Sequence, residues 1–185
     1  MFSCKSASIP DVLIFEPKVF DDGRGFLLEI YKRADYMAAG VPCDFVQDNW
    51  SHSRQGVLRG LHYQLQHPQA KLVTVISGAI FDVVVDLRQG SPFFGKWAGL
   101  ELSAENKKQI FIPQGFAHGF CVKSTSADVL YRSSDYYDPA DQYGVFWNDP
   151  GLGIAWPVSN PIVSEKDMVL PALRAVSANN LPPMP

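Results

Sequence analysis

Gln47–Lys71 reads QDNWSHSRQGVLRGLHYQLQHPQAK and is the densest polar segment of the chain. Glycines and apolar residues separate Gln47, Asn49, Arg59, His62, Gln64 and Lys71. Within it, Arg59-Gly60-Leu61-His62-Tyr63-Gln64 looks strand-like, and strand alternation puts Gly60, His62 and Gln64 on one face. A single polar residue on such a stretch is usually an exposed loop residue. So many on strand-like sequence favour a ligand pocket walled by strands.

The flanking sequence reads as more strands cut by turns. Lys71–Ser77 and Ala79–Leu87 are rich in Val and Ile and meet at Ser77-Gly78, which predicts a hairpin. Gln109–Ile112 and Phe116–Val122 are separated by Pro113-Gln114-Gly115, again turn chemistry, and Asp128–Asp135 is a further strand. Lys32–Ala39, stopped by Gly40, is the one clear helix before the C-terminal third. Pro161–Asp167 begins a short helix for which Ser164 is an available cap. Many short strands and little helix predict an all-β fold: a jelly-roll sandwich or barrel with a few short helices, able to hold a ligand in its mouth. Residues 1–185 read as a single domain, and the Pro-rich tail, 179–185, is expected to be loose.

Composition narrows the function. The 185 residues are 46% hydrophobic and 19% charged, which argues against disorder. Sixteen basic residues against nineteen acidic give a net charge of -3, so a nucleic-acid partner is not expected. Small anionic ligands need only a few placed cations. Cys4, Cys43 and Cys121 form no C-x-x-C pair and read as reduced thiols. No secretory signal is visible in Met1–Pro10, and no apolar run nears the roughly 18 residues that span a bilayer. No membrane association and a cytoplasmic location are expected.

Two histidine segments, Gly60–Gln64 and Pro113–His118, resemble those of a cupin. Metal cupins carry H-x-H, then Glu, then a second His segment. Here Gln64 stands in the second His position and no Glu lies between it and Gly78. Glutamine is a weak neutral ligand, and His67 has the wrong spacing, so a metal-free barrel is expected. His62 then suits a general base, which needs a carboxylate to orient it, and Asp167 is a candidate. Lys71 could stabilise an oxyanion, and Tyr131 could return a proton from another face. A lone strand tyrosine is more often core or rim, and a lone lysine more often solvated. Neither a G-x-G-x-x-G, a Walker loop nor a G-x-S-x-G elbow is present.

From about Ile9 to Pro171 the chain resembles the dTDP-4-dehydrorhamnose 3,5-epimerase family of the cupin superfamily. The motifs that carry this are DDGRGFLLE (Asp21–Glu29), QDNWSHS (Gln47–Ser53), GVLRGLHYQ (Gly56–Gln64), KLV (Lys71–Val73), DVVVDLR (Asp82–Arg88), SPFFGKW (Ser91–Trp97), IPQGFAHGF (Ile112–Phe120), LYRSSDYYDP (Leu130–Pro139), WNDP (Trp147–Pro150), IAWP (Ile154–Pro157) and SEKD (Ser164–Asp167). Each is weak alone; all of them in order are specific. The resemblance implies a jelly-roll homodimer that inverts C3 and C5 of dTDP-4-dehydro-6-deoxy-D-glucose without cofactor or metal. By motif it implies His62 as base, Asp167 as its carboxylate, Tyr131 as acid and Lys71 as the cation near the C4 oxygen. It implies substrate contacts from Gln47, Asn49, Arg59, His118 and Lys166, and an aromatic, Tyr137, near the thymine. Arg24 and Glu29 match nucleotide contacts that reach into the partner subunit's site.

Three positions depart from the pattern: Gln142 where Glu is common, Thr74 where Arg is common, and Trp50 for a smaller residue or His. Gln142 remains a candidate substrate contact on a weaker match. Such departures bear on which carbons are inverted, so a mono-epimerase acting on a related deoxysugar is the alternative. A metal-dependent cupin oxygenase is opposed by the missing ligands. A non-catalytic sugar-binding cupin is opposed by the joint presence of His62, Tyr131 and Asp167.

Overall fold

Val and Ile, stiff at χ1 and suited to a pleated surface, are concentrated in Lys71–Ser77 and Ala79–Asp86. The computed structural model describes residues 2–184. Its strands are β1 Phe2–Ser6, β2 Leu13–Pro17, β3 Val19–Asp22, β4 Gly25–Leu28, β5 Gln47–Arg54, β6 Leu58–Gln64, β7 Lys71–Ser77, β8 Ala79–Asp86, β9 Trp97–Ser103, β10 Gln109–Ile112, β11 Phe116–Val122, β12 Ser126–Ser133 and β13 Gln142–Gly144. Six form one antiparallel sheet, in the order β1-β2-β10-β7-β12-β5, and five form another, β13-β6-β11-β8-β9. Among the described residues, β3 and β4 pair only with each other, as a separate ribbon. The two large sheets are open and face each other, so the jelly roll is a sandwich rather than a closed barrel. Among the described residues, no helix is long and apolar enough to cross a membrane.

The expected hairpin at Ser77-Gly78 is corrected. β7 pairs with β10 and β12, whereas β8 pairs with β11 and β9, so the turn carries the chain from one sheet to the other. Both strands are buried on both faces over much of their length and take interior sheet positions. Those positions give each strand two long-range partners, where a hairpin would give one. Gly78 turns with φ +75°, and a Cβ there would lie 2.0 Å from the Ser126 carbonyl oxygen. Pro113-Gln114-Gly115 likewise joins β10 in one sheet to β11 in the other.

Three apolar layers explain the runs without strict alternation. Val73, Val75, Ile80, Val84, Phe116 and Val129 pack between the sheets. Leu61, Val83, Val85 and Ala117 lie on the outer face of the five-stranded sheet, under Ile154, Trp156, Leu173 and Leu181 of the C-terminal segment. Phe15, Leu72 and Phe111 lie on the outer face of the other sheet against Tyr36 of α1, Arg33–Ala38. That helix ends ahead of Gly40, φ +103°, as its sequence implied.

The tail expected to be loose makes contacts with the sheet as far as Pro183. The Tyr63 hydroxyl donates to Asn180 O at 2.7 Å, and Gln89 N donates to Pro182 O at 2.9 Å. Leu181 packs into the outer layer and Pro182 is buried. Proline-rich composition reads as disorder only where nothing apolar needs covering; here an exposed sheet face does. Pro185 lies outside the described residues.

Candidate active site

A cavity of about 590 Å³ opens between the sheets. The six-stranded sheet brings Asn49 from β5, Lys71 from β7 and Tyr131 from β12. The five-stranded sheet brings Arg59, His62 and Gln64 from β6, His118 from β11 and Gln142 from β13. Tyr137 lines the mouth, and α2, Glu165–Met168, brings Lys166 and Asp167. The Ser164 Oγ caps α2 by accepting from Asp167 N at 3.2 Å. The helix starts later than Pro161 because Ile162 is held extended, accepting from Leu58 N at 2.9 Å and donating to Gly56 O at 2.8 Å.

Strand alternation placed Gly60 with His62 and Gln64, and the structure alters this. His118 pairs with His62 and Phe120 with Arg59, so β6 takes three steps where β11 takes two. The irregularity turns Arg59 and His62 into the same cavity. Gly60 instead sits where the strands touch: a Cβ there would lie 2.5 Å from Gly119 Cα.

His62 Nε2 lies 2.6 Å from Asp167 Oδ1, and Gly60 N donates to Asp167 Oδ2 at 3.3 Å. Burial pushes the Asp167 carboxyl up, but these hydrogen bonds and the imidazole outweigh it and hold the group below the usual carboxylate range. An ionised Asp167 accepts a hydrogen bond from Nε2–H, leaving the other ring nitrogen of a neutral His62 with a free lone pair. Burial pushes the Tyr131 phenol up; nearby Arg59 pulls it partly back and Tyr137 adds to the rise, so the phenol keeps its proton at neutral pH. Burial lowers Lys71 to about 8, partly offset by the Asp82 carboxylate. The cavity thus has a potential base and a potential acid on opposite walls, with a cation that can titrate near neutrality.

Gln47 stands behind the lining. Its side chain accepts from Tyr137 N at 2.9 Å and donates to Asn49 Oδ1 at 2.9 Å, while the Tyr137 hydroxyl donates to Gln142 Oε1 at 2.6 Å. Arg59 Nε donates to Ser53 Oγ at 3.0 Å. Arg24 and Glu29 do not line the cavity of their own chain. Arg24, with its side chain 91% exposed, pairs with Asp22 at 2.6 Å in the β3–β4 ribbon. Gln64 spends its amide on loops, donating to His67 O at 2.8 Å and accepting from Asp138 N at 3.0 Å. Among the described residues, no three His, Cys, Asp or Glu side chains are grouped to hold a metal.

Of the departures, only Gln142 meets the cavity. Trp50 projects outward, its indole donating to Asp128 Oδ1 at 3.0 Å, and Thr74 accepts from Gln109 at 2.7 Å. Sequence reasoning overlooked Asp82, which is buried with His118 at 2.8 Å. A charge inside the apolar run Ile80–Val85 was the signal, because a buried carboxylate needs a partner.

A family model described as dTDP-4-dehydrorhamnose 3,5-epimerase matches residues 6–175. The protein so named from Pseudomonas aeruginosa is 56% identical over 162 residues, 86% of this chain and 90% of that relative. A dTDP-6-deoxy-D-glucose-3,5-epimerase from Legionella pneumophila, solved in complex with dTDP-4-keto-L-rhamnose, is 45% identical with a TM-score of 0.97, over 100% of each chain. A 3'-monoepimerase from Streptomyces bikiniensis, solved with dTDP-quinovose, is 34% identical with a TM-score of 0.91, over 97% of this chain and 92% of that one. With the family match running nearly end to end over a sandwich of the same shape, the chain belongs to the dTDP-4-dehydrorhamnose 3,5-epimerase family.

Proposed function

We propose that this chain inverts C3 and C5 of dTDP-4-dehydro-6-deoxy-D-glucose to give dTDP-4-dehydro-L-rhamnose. The observation that carries the reading is the His62–Asp167 pair at 2.6 Å on one wall, with Tyr131 on a strand of the opposite sheet. Both carbons flank the C4 ketone, so one carbonyl acidifies both protons. His62 removes each proton, Lys71 stabilises the enolate oxygen, and Tyr131 returns a proton to the opposite face of the ring. Atoms balance without a redox partner: one C–H bond breaks and one forms at each carbon. Arg59, His118 and Lys166 suit the pyrophosphate and sugar, and Tyr137, held by Gln47 and Gln142, suits stacking on the thymine. Asn49, which accepts from Gln47, suits a polar contact to the same ligand. The higher identity to the 3,5-epimerases than to the monoepimerase supports double inversion.

Incubation with the 4-keto sugar nucleotide in heavy water tests this. Deuterium is expected at C3 and at C5. Label at one carbon alone would make the chain a mono-epimerase, and label at neither would overturn the reading.

The working unit in this proposal is a homodimer in the cytoplasm, where its three free thiols stay reduced. Each β3–β4 ribbon delivers Arg24 and Glu29 to the partner's cavity. Support comes from the ribbon itself, which joins neither large sheet and exposes Phe26 (59%) and Leu27 (73%). Arg24→Ala is then expected to raise KM about tenfold, the worth of a charge-assisted hydrogen bond, with kcat nearly kept. An unchanged KM, or full activity from a monomer on dilution, would remove the exchanged arm.

A further inference from the structure

We infer that Asp82, which touches no ligand itself, is a positioning residue: it fixes the His118 tautomer and supplies the negative charge that the Lys71 ammonium needs inside the cavity. The inference rests on the role proposed for Lys71. Asp82 sits on β8 with 0% exposure, on the inward face it shares with Ile80 and Val84. Its Oδ2 lies 2.8 Å from His118 Nε2. Its Oδ1 is buried and has no hydrogen-bond partner among the described residues. A half-satisfied carboxylate at the centre of an apolar strand is costly, and nothing in the packing between the sheets requires one.

Lys71 lines the cavity with His118 of β11, which Asp82 of β8 holds from behind, and the Asp82 charge favours the protonated lysine. Tyr131 stands on the neighbouring strand of the same sheet, and across the cavity lie the His62–Asp167 pair and the cations Arg59 and Lys166. Both Asp167 oxygens are engaged, by His62 and by Gly60 N. The uncommitted oxygen of the two carboxylates is therefore Asp82 Oδ1. Among the described residues Lys71 forms no direct ion pair, so the attraction acts through space and the ammonium keeps its donors for a ligand oxygen. An ionised Asp82 also accepts a hydrogen bond from Nε2–H of His118, which leaves Nδ1 as an acceptor when that imidazole is neutral.

The test compares kcat and KM from pH 6 to 10 in the full-length protein and its Asp82→Asn variant. Removing the charge should move the alkaline limb of kcat, expected near 8 in the unaltered protein, down by about one pH unit. At pH 8 kcat should fall about fivefold, from that displacement alone, with KM little changed. An unmoved limb would overturn the inference, even if the variant were less stable. If Asp82→Asn does not fold, the 15N spectrum of histidine-labelled unaltered protein at pH 8 decides. His118 is expected as the Nε2–H tautomer; the Nδ1–H tautomer would place the proton on Asp82 and leave it without the required charge. Lys71→Arg separates the two levels of the proposal: its guanidinium does not titrate, so the limb should vanish. A limb that persists in Lys71→Arg would refute the role of Lys71 itself, whereas its loss there beside an unmoved limb in Asp82→Asn would refute Asp82 alone.

Discussion

Replacing His62 by alanine is expected to lower kcat by about 10²–10⁴ and to stop deuterium entry at both C3 and C5. In the proposed reaction one base serves both carbons, because both protons are acidified by the same C4 carbonyl. The imidazole is held by Asp167 at 2.6 Å, so its orientation survives the shift from one carbon to the next. Loss of the ring also strands Asp167, whose side chain is only 7% exposed, although Gly60 N still donates to it. The His62 side chain is 26% exposed, so the fold should stand and the loss should appear in exchange rather than in unfolding. Mass spectrometry of the recovered sugar nucleotide reads the result. Exchange at the unaltered rate at either carbon would assign that proton to another base.

Lys71→Met is expected to cost about 10²–10³ in kcat, the usual worth of an oxyanion donor. It also separates two consequences of pH. Burial lowers the lysine from 10.5 to about 8 in the folded chain, so above pH 8 the cation is lost and activity is expected to fall along an alkaline limb. Stability runs the other way. Between about 8 and 10.5 the unfolded chain binds more protons at this site than the native one, so raising pH through that window relieves the cost of the buried charge. Below pH 8 both states are protonated and that cost is present in full. The methionine variant should therefore lose both the limb and this stability term while keeping the fold. Measurement of kcat and the thermal midpoint at pH 7 and pH 9.5 checks both. Near-normal turnover would leave the enolate to another donor.

Local chemistry was legible where its cause is local. The Gly40 stop and the Ser164 cap depend on near neighbours, and they stand as read. The Ser77-Gly78 hairpin failed because turn chemistry specifies a reversal but not the sheet the returning strand joins. Three layers of apolar burial made that choice. The alternation in β6 failed for a related reason: one extra step against β11 re-aims Arg59, and only the partner strand reveals it.

By itself, the sequence determined an all-β chain and singled out His62, Tyr131, Lys71 and Asp167 for the proposed chemistry, because residue type and motif order specify what a site can do. The tertiary structure decided what meets what. His62 finds Asp167 across 105 positions and His118 finds Asp82 across 36, separations over which no periodicity carries information. It set the proposed base and acid on facing sheets and left Arg24 and Glu29 outside their own chain's cavity. Long-range antiparallel pairing, which buries both faces of β8 and β11, is the physical reason: it brings distant residues into one cavity only after the whole sandwich has formed.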